Sequence, residues 1–120
     1  MSKPPIPICT YAELQAVQYL SRPIQYKKQD SNAIVFIFAG QVYAYINRCI
    51  HGNKPLNHEQ DAIFDADLKH LRCAMHGFIF EPTTGTCLSP VCYGERLQAL
   101  RVQELDGRVY FTDKHLTAIG

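Results

Sequence analysis

A surplus of charge of either sign is missing from this chain: twelve Lys and Arg stand against eleven Asp and Glu, a formal net charge of +1. A broad electrostatic footprint for nucleic acid is thereby excluded. There is no apolar run near the ~20 residues a membrane-spanning helix needs. Residues Met1 to Cys9 hold one Lys and three Pro, with no apolar core of signal-peptide length. Internal repeats, low-complexity tracts and linkers are absent too. The expectation is a single soluble, cytoplasmic domain over residues 1–120, with 1–9 as an extended arm. What is present suits a packed core. Hydrophobic residues make up 47% and charged residues 19%, which argues against disorder. Five Cys is a high count for such a chain. In a reducing compartment, clustered Cys points to metal or redox chemistry before a disulfide frame.

Thr10 with Glu13 three residues on has the form of a capping box, predicting a short helix over Tyr11 to Gln18. Pro23 keeps such a helix from continuing. Strand signals then dominate. The expected strands are Ile24 to Lys28, Ala33 to Ala39, Val42 to Ile46, Ile63 to Phe64, Leu68 to Arg72, Phe78 to Phe80, Leu97 to Leu105 and Arg108 to Thr112. Gly40-Gln41, the acidic turn at Asp65 and Asp67, Pro82 to Gly85 and Asp106-Gly107 separate them, the last being a strong hairpin signal. Many short strands between turns predict a small all-β sandwich or barrel.

Two segments each pair a thiol with an imidazole: Cys49-Ile50-His51-Gly52 and Cys73-Ala74-Met75-His76-Gly77. Each follows a predicted strand and opens a loop, so facing loops would present two sulfurs and two nitrogens. A structural zinc is one reading of such a donor set; a 2Fe–2S cluster with two thiolates on one iron and two imidazoles on the other is the second. Zinc sites usually pair like with like, as C-x₂₋₄-C and H-x₃₋₅-H, whereas each loop here mixes Cys with His. The spacing favours the cluster.

This C-x-H and C-x-x-H pattern resembles the Rieske motif. Ala44 to Cys49 before the first pair, Pro55-Leu56 after it, and His76-Gly77-Phe78-Ile79-Phe80 followed by Thr84-Gly85 are similar to the family's flanking segments. Pro90 to Gly94 falls where Rieske domains carry a proline loop over the cluster, and Asp106 to Tyr110 resembles the closing hairpin. The likeness covers roughly residues 24–112. Two departures stand out: Ile50 occupies a position where many relatives have Pro, and a longer stretch between the pairs places an extra turn near Asn57 to Asp61.

The resemblance implies a Rieske-type antiparallel β-sandwich or barrel with a cluster-binding subdomain of two loops. It implies one 2Fe–2S cluster, with Cys49 and Cys73 on the inner iron and His51 and His76 on the outer. Imidazoles in place of thiolates remove negative charge, which raises potentials to about −150 to +300 mV against about −400 mV for all-Cys plant-type ferredoxins. High-potential relatives add an inter-loop disulfide and Ser and Tyr hydroxyls aimed at the cluster. Lys54 and Met75, and Phe78 and Phe80, stand at those positions here. A potential in the low part of the Rieske range is therefore expected. Titration of the free imidazole N–H groups makes that potential pH-dependent in the alkaline range.

Gly52 and Gly77 are expected to let backbone N–H groups approach the sulfides. Strand alternation places Phe78 and Phe80 on one face, where apolar groups beside His51 and His76 would serve docking. Cys87 and Cys92 flank the Pro90 segment and read as small buried hydrophobes, a disulfide between them being disfavoured in a reducing compartment. Cys9 reads as a free thiol, and His58, His70 and His115 as surface residues. Lys27-Lys28, Arg48 and Lys54 read as a solvated face, with partner docking as the functional reading.

At 120 residues, an added flavin, nicotinamide or mononuclear-iron domain is not expected within this sequence. The implied function is one-electron transfer by a Rieske-type ferredoxin, a non-enzymatic component of a dioxygenase system. Its donor would be a flavin-dependent reductase and its acceptor a terminal oxygenase. The alternatives are a small accessory subunit of a nitrite-reductase-like enzyme and a zinc-stabilised binding module.

Overall fold

Two-residue turns join three pairs of consecutive strands in this protein. It is described by a computed structural model that covers residues 4–48, 55–56, 63–65, 67–73 and 77–118. The strands are β1 (Ile6–Thr10), β2 (Leu20–Tyr26), β3 (Gln29–Phe38), β4 (Gln41–Ile46), β5 (Leu71–Arg72), β6 (Ile79–Phe80), β7 (Ala99–Leu100), β8 (Val102–Leu105), β9 (Arg108–Phe111) and β10 (Leu116–Ala118). The one α-helix among the described residues is α1 (Tyr11–Gln15), and Pro90–Cys92 form a single 3-10 turn. Pairing gives sheets in the order β1-β9-β8, β10-β2-β3-β4-β7 and β5-β6. The expected all-β architecture is what forms. Among the described residues no helix is long and apolar enough to cross a membrane.

The chain divides into two compact units, residues 1–44 with 100–120, and residues 45–99. In the first, β2 and β3 pair without interruption from Leu20↔Val35 to Tyr26↔Gln29. Lys27 and Lys28 close this hairpin at φ of 50° and 67°. Both central residues are left-handed, which matches the twist of the strands they join. Ala39-Gly40 and Asp106-Gly107 adopt the same conformation, at φ of 51° and 80° in each case. Ala33 to Phe36 are all fully buried. Successive side chains of a strand point to opposite faces, so both faces of β3 are covered. Leu14, Ile24, Ala44, Leu100, Val109, Phe111 and Leu116 are buried with them in this unit.

Several boundaries depart from the sequence reading. The capping box forms, with Thr10 Oγ1 accepting from the Glu13 N–H and Glu13 Oε1 from the Thr10 N–H. The Thr10 N–H, with the Thr10 hydroxyl beside it, also holds the Glu13 carboxyl below its usual range. The helix ends at Gln15 rather than Gln18, since Leu14 is its only buried side chain. Residues 6–9 of the expected arm lie in β1, which pairs with β9, and the register shifts between Pro7 and Cys9. An edge position and a bulge are where a strand accommodates proline. Pro23 lies inside β2 opposite Asn32. The strand expected over Leu97 to Leu105 breaks at Arg101, whose N–H donates to the buried carboxylate of Asp113. Leu68 has a φ of 57° and belongs to a turn, leaving only Leu71–Arg72 as strand and a bridge from Phe64 to Leu71.

Candidate metal centre

In the unit of residues 45–99, ties between loops and short strands replace long ladders. Cys73 directly follows β5, is fully buried and has no disulfide partner. Register pairs Leu71↔Phe80 and Arg72↔Ile79 bring β5 and β6 together. Beyond them the Cys73 N–H donates to the Phe78 carbonyl at 2.9 Å, and the Gly77 N–H donates to the Cys73 carbonyl at 2.8 Å. Cys73 and Gly77 are thus tied together at the two ends of the stretch that carries His76 in the sequence. Gly77 has a φ of 69°, while the nearest atom to a Cβ built there is Arg72 Nη2 at 3.6 Å. Its conformation, not crowding, asks for glycine.

The first thiol–imidazole loop is closed in a different way. Asn47 Oδ1, just past β4, accepts the Leu56 N–H at 2.7 Å. Leu56 is fully buried and anchors the far end of the loop. Cys49, His51, Gly52 and His76 lie outside the described residues, as do Ile50, Lys54, His58, Met75 and the turn expected near Asn57 to Asp61. Of the four candidate ligands the structure places Cys73 alone. Among the described residues no group of three or more His, Cys, Asp and Glu gathers into a metal site.

Cys73 nevertheless fits a metal-binding role. A thiolate is costly to bury unless a cation compensates it. Here a buried thiol outside any disulfide stands three residues before a histidine in the sequence. That donor chemistry suits iron with mixed sulfur and nitrogen ligation.

A third segment fastens to β6. The Ile79 N–H donates to Ser89 Oγ at 3.0 Å, and the Ile79 carbonyl accepts the Leu88 N–H at 2.7 Å. Phe80 bridges to Cys87. Pro90, exposed, begins the 3-10 turn. Cys87 and Cys92 form a disulfide with a Cα–Cα distance of 5.7 Å. This corrects the reading of both as unpaired buried hydrophobes: they are buried, but joined across a four-residue loop whose ends meet. Phe80 is also corrected as a docking group, because it is fully buried, and Phe78 is half-buried. The exposed apolar side chains of this unit's third segment are instead Leu88, Val91 at 72% and Tyr93 at 75% exposure.

Asn47, Ser89 and Asp65 were not singled out as positioning groups in the sequence. Asp65 Oδ1 accepts the N–H groups of Lys69 and His70, and its Oδ2 lies 3.4 Å from His70 Nδ1. Desolvation works to raise the Asp65 carboxyl, but these bonds and the His70 ring outweigh it and hold the carboxyl below its ordinary value. Cys9 stands apart from this unit. It lies half-buried in β1 opposite Val109, and burial pushes its thiol up, with Arg22 opposing and Glu13 adding to the effect. The cleft of about 320 Å³ lined by Tyr11, Gln41, Val42 and Glu104 contains none of the candidate ligands.

The family model described as "Rieske [2Fe-2S] domain" matches residues 5–104. Among solved structures, the chain is similar to the ferredoxin of carbazole 1,9a-dioxygenase from Nocardioides aromaticivorans IC177. The TM-score is 0.71 at 19% identity, covering 93% of this chain and 100% of that one. It is also similar to the Sphingomonas yanoikuyae B1 ferredoxin, with a TM-score of 0.68 at 22% identity, covering 92% and 99%. A further match is to a chain in an oxygenase and ferredoxin complex of carbazole 1,9a-dioxygenase. There the TM-score is 0.71 at 18% identity, covering 88% of this chain but only 27% of that one. A search of curated proteins finds no match.

Proposed function

The chain belongs to the Rieske [2Fe–2S] domain family, and from that premise we propose that it is a ferredoxin that carries one electron at a time from a flavin-dependent reductase to a terminal oxygenase. The family's cofactor is a 2Fe–2S cluster. When bound, the cluster supplies the one-electron couple.

In this reading Cys49 and Cys73 hold one iron, and His51 and His76 the other. Asn47 and Leu56 pin the base of the first loop, and Phe78 and Gly77 pin the second. Burial of Cys73 keeps water from its sulfur. The two compact units are read as one domain, since the family match runs through both. The observation that carries the ferredoxin reading is the end-to-end match to two ferredoxins. The oxygenase acceptor is supported by the similarity to a chain of the oxygenase and ferredoxin complex of carbazole 1,9a-dioxygenase, in which a ferredoxin and an oxygenase occur together.

The test is spectroscopic. The purified protein is expected to be red-brown, to bleach with dithionite and to show the electron paramagnetic resonance of a reduced Rieske cluster. Cys73→Ser abolishes that signal, while Cys9→Ser leaves it intact. Colourless protein with stoichiometric zinc would overturn the reading. A midpoint potential well above zero would remove the claim that the Phe78 and Phe80 positions, lacking hydroxyls, keep the potential low.

A further inference from the structure

We propose that the Cys87–Cys92 disulfide is a positioning element of the cluster site, acting through Ser89 and Ile79 on the backbone at Cys73. The proposal rests on the ligand reading above for its electronic consequence.

Ser89 occupies the N-cap position of the 3-10 turn Pro90–Cys92, where a serine hydroxyl ordinarily accepts an N–H of the turn. Here it makes no such bond. Its Oγ accepts the Ile79 N–H instead. The turn therefore gives up its side-chain cap to hold β6. A three-residue 3-10 turn has little stability of its own, so its shape must come from elsewhere. Pro90 presets one backbone angle. The disulfide supplies the rest, closing residues 88–91 between two buried cysteines. Backbone bonds reinforce the closure: Cys87 donates to Glu95, Glu95 to Cys92, and Gly94 to Cys87.

The held segment then grips Ile79 at both backbone groups, through Ser89 Oγ and the Leu88 N–H. Ile79 is opposite Arg72 in the β5-β6 pair, and its neighbour Phe78 accepts the N–H of Cys73. Three residues thus connect the disulfide to the candidate ligand Cys73: Ser89, Ile79 and Phe78. Opening the bridge frees the turn, loosens the grip on Ile79 and relaxes the loop that sets the direction of the Cys73 sulfur.

The experiment uses the cluster-loaded full chain before and after treatment with a water-soluble phosphine. The S–S bond breaks, the phosphorus takes oxygen from a water molecule, and the two sulfurs leave as thiols with that water's hydrogens. Alkylation followed by mass spectrometry verifies the reduction. The expected result is amide hydrogen exchange at Ile79 and Cys73 faster by roughly tenfold. The β3 amides of Ile34 and Val35 stay unchanged. The g-values and midpoint potential of the cluster shift with the exchange. The double variant Cys87→Ser with Cys92→Ser reproduces the shift without any reductant. Verified reduction with unchanged exchange at Ile79 and an unchanged cluster spectrum overturns the proposal, as does finding both thiols free in the protein as isolated. A protein with no Rieske spectrum defeats the ligand reading instead, and exchange at Ile79 then decides the positioning role alone.

Discussion

The two units of this protein solve the same problem, holding a backbone in place, by opposite means. In residues 1–44 and 100–120 the chain is held by ladders, such as the seven register pairs of β2 and β3. In residues 45–99 the β5-β6 hairpin pairs at two positions, and single bridges join Phe64 to Leu71, Phe80 to Cys87 and Thr86 to Arg96. There the work falls to individual groups: the Tyr45 hydroxyl on the Pro82 carbonyl, Asn47 on Leu56, Asp65 on Lys69 and His70, and Ser89 on Ile79. A ladder shares its load among many equivalent bonds, so one substitution is a small fraction of the total. A tie has no substitute. Loops that must aim ligand side chains are built from ties, because a regular strand would turn every second side chain away.

The sharpest test of this contrast is one substitution made in each unit. A Cβ built at Gly85, where φ is 75°, would lie 2.7 Å from Cε1 of the fully buried Tyr45 ring. Gly107 has a φ of 80° with nothing within 4 Å of that position. Gly107→Ala carries only the left-handed backbone cost, about 1–2 kcal/mol. Gly85→Ala adds overpacking, for a total of about 3 kcal/mol or more. Chemical denaturation of the two variants should separate them clearly; equal losses would break the contrast.

Tyr45→Phe comes next. The Tyr45 hydroxyl donates to the Pro82 carbonyl at 2.7 Å, and both residues are buried. Losing the donor leaves that carbonyl unsatisfied, at a cost of about 1–3 kcal/mol, read as a lower midpoint in a thermal melt. Asp65→Ala removes the acceptor of two backbone N–H groups and is expected to cost about 1–2 kcal/mol. Its pH signature has a definite sign. A carboxyl held below its ordinary value stabilises the folded state above that value, and the contribution disappears as pH falls through the folded one. The wild type and Asp65→Ala should therefore converge in stability below about pH 4. A gap that persists into acid would show that the turn is not held by the carboxylate. The smallest stability effect belongs to Val91→Ser with Tyr93→Ser, within about 0.5 kcal/mol at such exposed positions. If these side chains meet the oxygenase, stopped-flow reduction of the acceptor slows while the melt is unchanged.

The same contrast explains what the sequence made visible. Alternation in Val42 to Ile46, the β-rich run of Ala33 to Ala39 and the Asp106-Gly107 turn are local signals, and the ladders they belong to could be read directly. The Thr10 and Glu13 capping box is another, since its reach is three residues. β1 was hidden because its prolines read as an arm until β9 supplied a partner. β10 is a three-residue strand recognisable only by what lies beside it, from Tyr26 to Ile24. The ties were less visible still. Nothing in a single Asn, Ser or Asp says that its oxygen will meet an N–H nine or ten residues away, as Asn47 meets Leu56 and Ser89 meets Ile79. The disulfide illustrates the limit well: compartment arguments weighed against it, and the proximity that favours it is a property of the folded loop. The candidate ligands were legible by their spacing, although Cys73 is the one whose surroundings the structure describes.

The two-residue turn at Lys27 and Lys28 bears on the order of events in biogenesis. It brings seven pairs of β2 and β3 together without closing any long loop, and local contacts of that kind form early. None of the residues in this hairpin is a candidate ligand. The newly made chain can therefore commit to its first sheet before any iron arrives, and cluster delivery would meet a scaffold already begun.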